Sequence, residues 1–373
     1  MSIAAHTPEN APQLDDSPRP LRIGMVAPPW FELPPKGYGG TEAVVASLVD
    51  QLSLRGHEVT LVSSGFNGTR ADQHISVFER PPSELLGQSP MPEVIAAAET
   101  ARALESLDLD IVHDHSLAGP LLARGRSIPT VTTMHGPVVG LSGEYFRRLG
   151  TSVDIIAISD AQRRMAPDLN WIGTVHNAVD VASFPFRAEK EDFLLWLGRF
   201  SPDKGAHLAI DAARAAGRRI VLAGKLNEAP ERRYFEAEVR PRLGSDAEYL
   251  GEADAVLKRE LFSKASALLF PIQWEEPFGM VMAEAMACGT PVLATRRGSV
   301  PEVILDGVSG IIVDTTDKLP EAIERSQQLI PSQVRSWAEA RFDLPVMAEG
   351  YERIYRALVE GTASIQDIAA HVA

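Results

Sequence analysis

One cysteine, Cys288, stands in 373 residues. An intramolecular disulfide is thereby excluded, and a lone thiol fits a reducing cytoplasm. Long apolar runs are also missing: none approaches the roughly eighteen unbroken residues of a membrane-spanning helix. The opening stretch, MSIAAHTPENAPQLDDSPRP, lacks an apolar core flanked by basic residues. Residues 1–20 therefore read as a disordered leader, not as a secretory signal. Positive charge is scarce, with 36 Lys and Arg against 50 Asp and Glu and a formal charge of −14. Nucleic acid and anionic membrane are poor default partners for such a chain. Any anionic ligand must be held by a local cluster of cations, which has to be found.

What is present is ordinary for a soluble protein: 45% apolar and 23% charged residues. The length exceeds one usual core, so two domains are expected. Short β-branched runs alternate with helical stretches, the pattern of a parallel sheet flanked by helices. LRIGMVAP (21–28), HEVTLVSS (57–64), DIVHDH (110–115), PTVTTMHG (129–136) and DIIAIS (154–159) form the first strand series. After TVHNAVDVASFPF the rhythm restarts at DFLLWLGRF (192–200) and runs to GIIVD (310–314). The expected division is an α/β domain at 21–185, a second at 186–345, and a tail at 346–373. In that tail Met347, Tyr351, Ile354, Tyr355 and Leu358 share one helical face that must be buried, plausibly on the first domain.

Doubly wound sheets bind ligands beyond the carboxyl ends of their strands, and the unusual residues gather there. EEPFGMVMAEAMACGTPV (275–292) carries Glu276 on a turn and Glu284 inside a predicted helix that ends at Gly289. On one helix, eight residues span about 12 Å, too far for the carboxyl pair of a retaining glycosidase at about 5 Å. Two contacts on one extended ligand fit better. The helix start offers the amides of Gly279, Met280 and Val281 to an anion, with Glu276 and Glu284 meeting polar groups on either side. Sugar, diphosphate and ribose in a nucleoside-diphosphate sugar have that order. Read alone, the stretch is equally compatible with a surface turn.

LGRFSPDKG (197–205) supplies the missing cations, Arg199 and Lys204, at a strand end. A guanidinium grips phosphate in a fork and an ammonium acts as a point charge. KGYGGTE (36–42) places Gly39 and Gly40 before a helix, but Glu42 stands where a dinucleotide fingerprint needs its third glycine. It is read either as a close approach to phosphate or sugar or as a flexible turn. Histidines end two strands: His135 could bond a sugar hydroxyl, His113 reads as structural, and His115 is open between core and cleft. No third ligand at a recognised spacing makes His113 and His115 a metal site. Asn177 and Asp180 in HNAVD read as turn-formers of the linker.

Together, in this order, the glycine pair, the HG strand end, HNAVD, the GR…KG pair and Glu-x₇-Glu followed by AMACGTPV resemble the family 4 glycosyltransferases, over about residues 22–358. The resemblance implies a GT-B fold, two Rossmann-like domains facing a cleft, with the acceptor on the first and the nucleotide sugar on the second. It implies Glu276 on the donor sugar, Glu284 on the ribose, and Arg199, Lys204 and the backbone from Phe278 to Val281 on the diphosphate. Gly40 would approach the phosphates, His135 the sugar ring, and the base would lie near Gly224 and Ala253. No cofactor and no metal are expected, in keeping with the lack of an Asp-x-Asp pair in a suitable context. UDP-glucose is the default donor, with GDP- and ADP-sugars as alternatives, and transfer would retain configuration. A soluble acceptor is favoured over a lipid, because EYFRRLG (144–150) is a feeble basic patch. The rival readings are a nucleotide-sugar epimerase on the same fold and a non-catalytic sugar-nucleotide binder.

Overall fold

A computed structural model describes residues 19–37 and 39–361. The leader expected at 1–20 lies, but for Arg19 and Pro20, outside the described residues, as do residues 362–373. The first domain is a parallel sheet of β1 (Arg22–Val26), β2 (Glu58–Ser64), β3 (Gln73–Phe78), β4 (Ile111–Asp114), β5 (Thr130–Thr133), β6 (Asp154–Ala157) and β7 (Trp171–Thr174), in the order 3-2-1-4-5-6-7. Around it lie α1 (Gly40–Leu54), α2 (Met91–Leu104), α3 (Gly140–Leu149) and α4 (Asp160–Met165). The second sheet holds β8 (Leu194–Leu197), β9 (Ile220–Ala223), β10 (Ala247–Tyr249), β11 (Ala267–Phe270), β12 (Val292–Thr295) and β13 (Gly310–Val313), in the order 10-9-8-11-12-13. Its helices are α5 (Ala206–Ala215), α6 (Ala229–Tyr234), α7 (Ala255–Lys264), α8 (Met280–Ala287), α9 (Val300–Val303), α10 (Leu319–Ser326) and α11 (Pro331–Phe342), and the described chain closes with α12 (Leu344–Glu360).

Central strands are buried on both faces and most read as short apolar or β-branched runs, which is why their series is plain in the sequence, although β4 (IVHD) and β5 (TVTT) bury polar side chains as well. Two strands escaped that reading. β3, QHISVF, sits at a sheet edge with partly exposed residues of both kinds, and β7, WIGT, is four residues with a glycine inside. Neither presents an apolar run of its own.

The tail returns to the first domain. Met347, Tyr351, Ile354 and Tyr355 of α12 are buried in one core with Val45, Leu48 and Leu52 of α1, and Leu358 packs against it. Glu352 ties the same helix to Arg55 at 2.7 Å and is itself steadied by Arg356, one turn along α12, at 2.9 Å. Tyr355 Oη meets His113 Nδ1 at 2.5 Å while Thr133 Oγ1 meets Nε2 at 2.8 Å, so His113 is a satisfied core histidine.

The chain crosses between domains twice, and the crossings bond to each other. Val179 N donates to Phe342 O at 2.9 Å, and Val181 N to Asp343 Oδ1 at 3.2 Å. Glu302 of α9 adds a third tie, accepting from the Asp160 and Ala161 amides that open α4, at 2.7 and 2.6 Å. An acid at a helix start is favourable for the exposed amides and the dipole alike. Replacing Tyr355 with Ala removes a fully buried ring and leaves His113 Nδ1 without its partner, so Tyr355→Ala is expected to lower stability by about 3–5 kcal/mol. Urea unfolding checks this; a loss below about 1 kcal/mol would mean that α12 contributes little to the first domain.

Candidate active site

In each sheet the strand order reverses direction once, between β1 and β4 and between β8 and β11. Loops leaving such a pair diverge and open a crevice. In the second domain those two loops deliver Lys204 and Glu276, and the side chains form an ion pair. Both are largely shielded, with side-chain exposures of 17% and 11%. The Lys204 ammonium also lies over the Trp274 ring, 5.3 Å from its centre. Gln273 N donates to Asp203 O at 2.8 Å and fastens the two loops together.

A third loop, after β12, fixes the Glu276 turn. Ser299 N donates to Glu276 O at 2.9 Å, Ser299 Oγ to Phe278 O at 2.7 Å, and Gly298 N to Glu275 Oε2 at 2.7 Å. Gly298 has φ +51°, and a Cβ there would stand 2.3 Å from Glu276 O and 2.4 Å from Glu276 N. Only glycine fits. The turn leads into α8, whose first amides lack intrahelical partners by the geometry of any helix start.

A cavity of about 180 Å³ between the domains is lined by Gly40, Thr41, Val44, His135, Ile158, Asn177 and residues 276–280. Six residues singled out in the sequence thus share one space: Gly40, His135, Glu276, Phe278, Gly279 and Met280. Lys204 joins them through Glu276. Others do not line that cavity. Arg199 is exposed, with no hydrogen bond or ion pair from its side chain among the described residues. Glu284 is paired with Lys258 at 2.5 Å, and Val281 is half-buried against the second core. Gly224 lies where β9 ends, so close to Gly198 that a Cβ would stand 1.8 Å from Gly198 O; Ala253 packs beside the core. Gly39 lines a neighbouring chamber.

His115 and His135 are hydrogen-bonded, Nδ1 to Nε2, at 2.9 Å. Burial lowers both, His115 well below the usual range and His135 to about 4, so both are neutral near pH 7. His115 Nε2 is buried with no partner. A bare lone pair there is less costly than a stranded N–H, which favours His115 as donor and leaves His135 its Nδ1–H.

Several wall residues were not legible in advance. Asn177 belongs to the cavity, not merely to a linker turn: it is buried, and its Oδ1 has no partner. Glu42, Glu93 and Trp30 line the adjoining chamber of about 270 Å³. Burial pushes the Glu42 carboxyl up to about 7, with the nearby Glu93 charge adding to the rise. Glu93 is raised by burial as well, although Trp30 Nε1 donates to it at 2.7 Å and Leu117 N at 3.1 Å. An acid in the first turn after a glycine pair was the available signal for Glu42. Glu93 and Trp30 had none, since only folding brings them together.

Two doubly wound lobes with an acid, a cation and a helix start meeting at their cleft define a GT-B glycosyltransferase. Sequence comparison agrees. Residues 38–183 match the Glycosyltransferase Family 4 model and residues 182–333 the Glycosyl transferases group 1 model. Those two matches cover most of the chain, which belongs to the family 4, group 1 glycosyltransferases. It is 27% identical to the N-acetyl-alpha-D-glucosaminyl L-malate synthase of Bacillus anthracis, across 90% of this chain and 96% of that protein. Among solved structures, AviGT4, a glycosyltransferase involved in avilamycin A biosynthesis, superposes with a TM-score of 0.69 at 29% identity, covering 92% of this chain and 99% of that one. The Anabaena protein HepE in complex with UDP-glucose shares the fold, with a TM-score of 0.69 at 17% identity and coverages of 90% and 100%.

Two outcomes follow from this geometry. Gly298→Ala must displace the Glu276 backbone, so stability should fall by about 1–3 kcal/mol in urea unfolding; unchanged stability would show that the turn is not held by that contact. Glu42 has a folded-state pKa above its ordinary 4.5. Its contribution is therefore fully present below about 4.5 and lost as pH rises through about 7. Relative to wild type, Glu42→Gln should gain on the order of 2 kcal/mol between pH 5 and pH 8 in urea unfolding. A pH-independent difference would contradict the assignment.

Proposed function

We propose that this glycosyltransferase moves a hexose from a nucleoside-diphosphate sugar, UDP-glucose by default, to an acceptor hydroxyl with retention at C1 and without a metal ion. The observation that carries the reading is the shared cavity, where Glu276 and the start of α8 face His135 and Gly40 of the other domain. HepE's complex with UDP-glucose supports the choice of donor by fold alone.

In this mechanism Glu276 accepts hydrogen bonds from donor-sugar hydroxyls, taking over from its contact with Lys204. The ammonium then turns to the diphosphate alongside Arg199 and the α8 amides, and Glu284 exchanges Lys258 for ribose hydroxyls. The bond from C1 to the diphosphate oxygen breaks with its electron pair leaving on the diphosphate. The acceptor oxygen bonds to C1 on the same face, and its proton passes to the departing diphosphate oxygen. Cations and amides placed where negative charge develops lower the barrier, typically by about 3 kcal/mol for each well-placed donor. His135, neutral and held by His115, offers N–H to a sugar hydroxyl and adds no charge to the oxocarbenium-like centre.

Glu276→Ala and Lys204→Ala should each reduce kcat/KM by about 100-fold or more while the protein stays folded. Chelation with EDTA should leave turnover unchanged. A thermal-shift panel of nucleotide sugars identifies the donor, and proton NMR of the product reads the anomeric configuration. Inversion at C1 would falsify the same-face mechanism, and an epimer formed from donor alone would move the enzyme to a different reaction.

A further inference from the structure

Three neighbouring spaces, one between the domains and two on the first domain, share wall residues in sequence. The interdomain cavity and the chamber of about 270 Å³ share Gly40, Thr41 and His135. That chamber and an outer groove of about 360 Å³ share Glu93 and Leu117. The chemistry changes along the way. The middle chamber has the Trp30 ring, the Glu42 carboxyl and the His115–His135 pair. Both Glu93 oxygens there are engaged, by Trp30 and by the Leu117 amide, whereas the Glu42 carboxyl is bonded only by its own backbone amide among the described residues. The outer groove is walled by Val94, Leu117, Leu121, Leu141 and Tyr145. Four of these present apolar surface to water, at 50% for Val94 and Leu117, 54% for Leu121 and 89% for Leu141. Apolar surface concentrated beside a site usually marks something that binds there.

Charge narrows the occupant. Among the described residues no Lys or Arg lines the middle chamber or the outer groove. The arginines of α3 are already paired, Arg147 with Asp168 at 2.6 Å and Arg148 with Glu144 at 2.7 Å. Buried acids beside the chamber, including Asp114, would repel an anion. Neither a phosphorylated or carboxylated head nor an anionic bilayer finds a counter-charge here.

Resting on the transferase reading above, we propose that the acceptor is a single uncharged amphiphile. Its hydroxyl-bearing ring occupies the middle chamber against Trp30 and Glu42, and an apolar group of aryl or short-alkyl kind fills the groove beside Leu117, Leu121 and Leu141. The chamber's opening onto the interdomain cavity would carry the reacting hydroxyl toward the donor. The groove does the work of recognising what the ring is attached to.

The test uses the whole protein and N-phenyl-1-naphthylamine, a neutral apolar dye. Saturable binding near one dye per chain is expected. Phenyl β-D-glucoside should displace it at a concentration at least tenfold lower than methyl β-D-glucoside, and glucose 6-phosphate should not displace it. Leu121→Asp and Leu141→Asp, both at exposed positions, should weaken dye binding at least tenfold with melting temperatures unchanged. The proposal is overturned by absent or unsaturable dye binding, by equal displacement by the two glucosides, or by displacement with glucose 6-phosphate. Co-sedimentation of the protein with phosphatidylglycerol vesicles, lost in Leu121→Asp and Leu141→Asp, would overturn it in favour of a membrane-docking face. UDP binding, measured separately, judges the donor reading: its failure would strike that reading and leave the dye result to decide the groove.

Discussion

The backbone contact between Gly298 and Glu276 is the constraint on which the candidate site rests. Glu276 follows a Trp-Glu pair in the loop after β11 and precedes a proline, a sequence with no regular structure to hold it. Its orientation comes from the loop after β12, which lies against it so closely that a methyl group cannot be inserted. Ser299 then bonds both Glu276 O and Phe278 O, which sets where α8 begins. One near-contact of two main chains therefore places a carboxylate and a row of amides together. Sites built on such contacts hold their geometry without a ligand, which is what preorganised charge stabilisation requires.

The charges at the cleft are kept in pairs that a ligand of matching layout could separate. Lys204 neutralises Glu276, and Lys258 neutralises Glu284. A largely shielded acid without its cation would be costly. A ligand offering hydroxyls to each acid and negative charge to Lys204 replaces one satisfied arrangement by another. The overall deficit of positive charge in the chain is thus met by a few cations at defined places, not by a basic surface.

How much of this was legible in the sequence depended on whether the signal was local. The central strands announced themselves because burial on both faces favours short β-branched and apolar runs, seen even in TVTT of β5. β3 and β7 did not, one being a mixed edge strand and the other too short and interrupted by Gly173. Gly40, His135 and Glu276 could be marked because they end strands or open helices, where open α/β sheets bind ligands. Asn177 looked like a turn residue because its neighbours form a linker, and nothing local reveals that its side chain reaches a cavity. Trp30 and Glu93, 63 residues apart, make one hydrogen bond. Such a pair exists only once β1 and β4 lie side by side, and no spacing rule anticipates it.

The paired crossings at Val179–Val181 and Phe342–Asp343 act as two leaves of one door. Because each leaf is bonded to the other, sliding or twisting one lobe independently would tear that seam, whereas swinging about the line through it leaves the seam whole. Approach of the lobes is thereby reduced to essentially one coordinate. Asn177 stands two residues from that seam, so a small displacement beside the line of rotation corresponds to a much larger one at the far rim of the lobes.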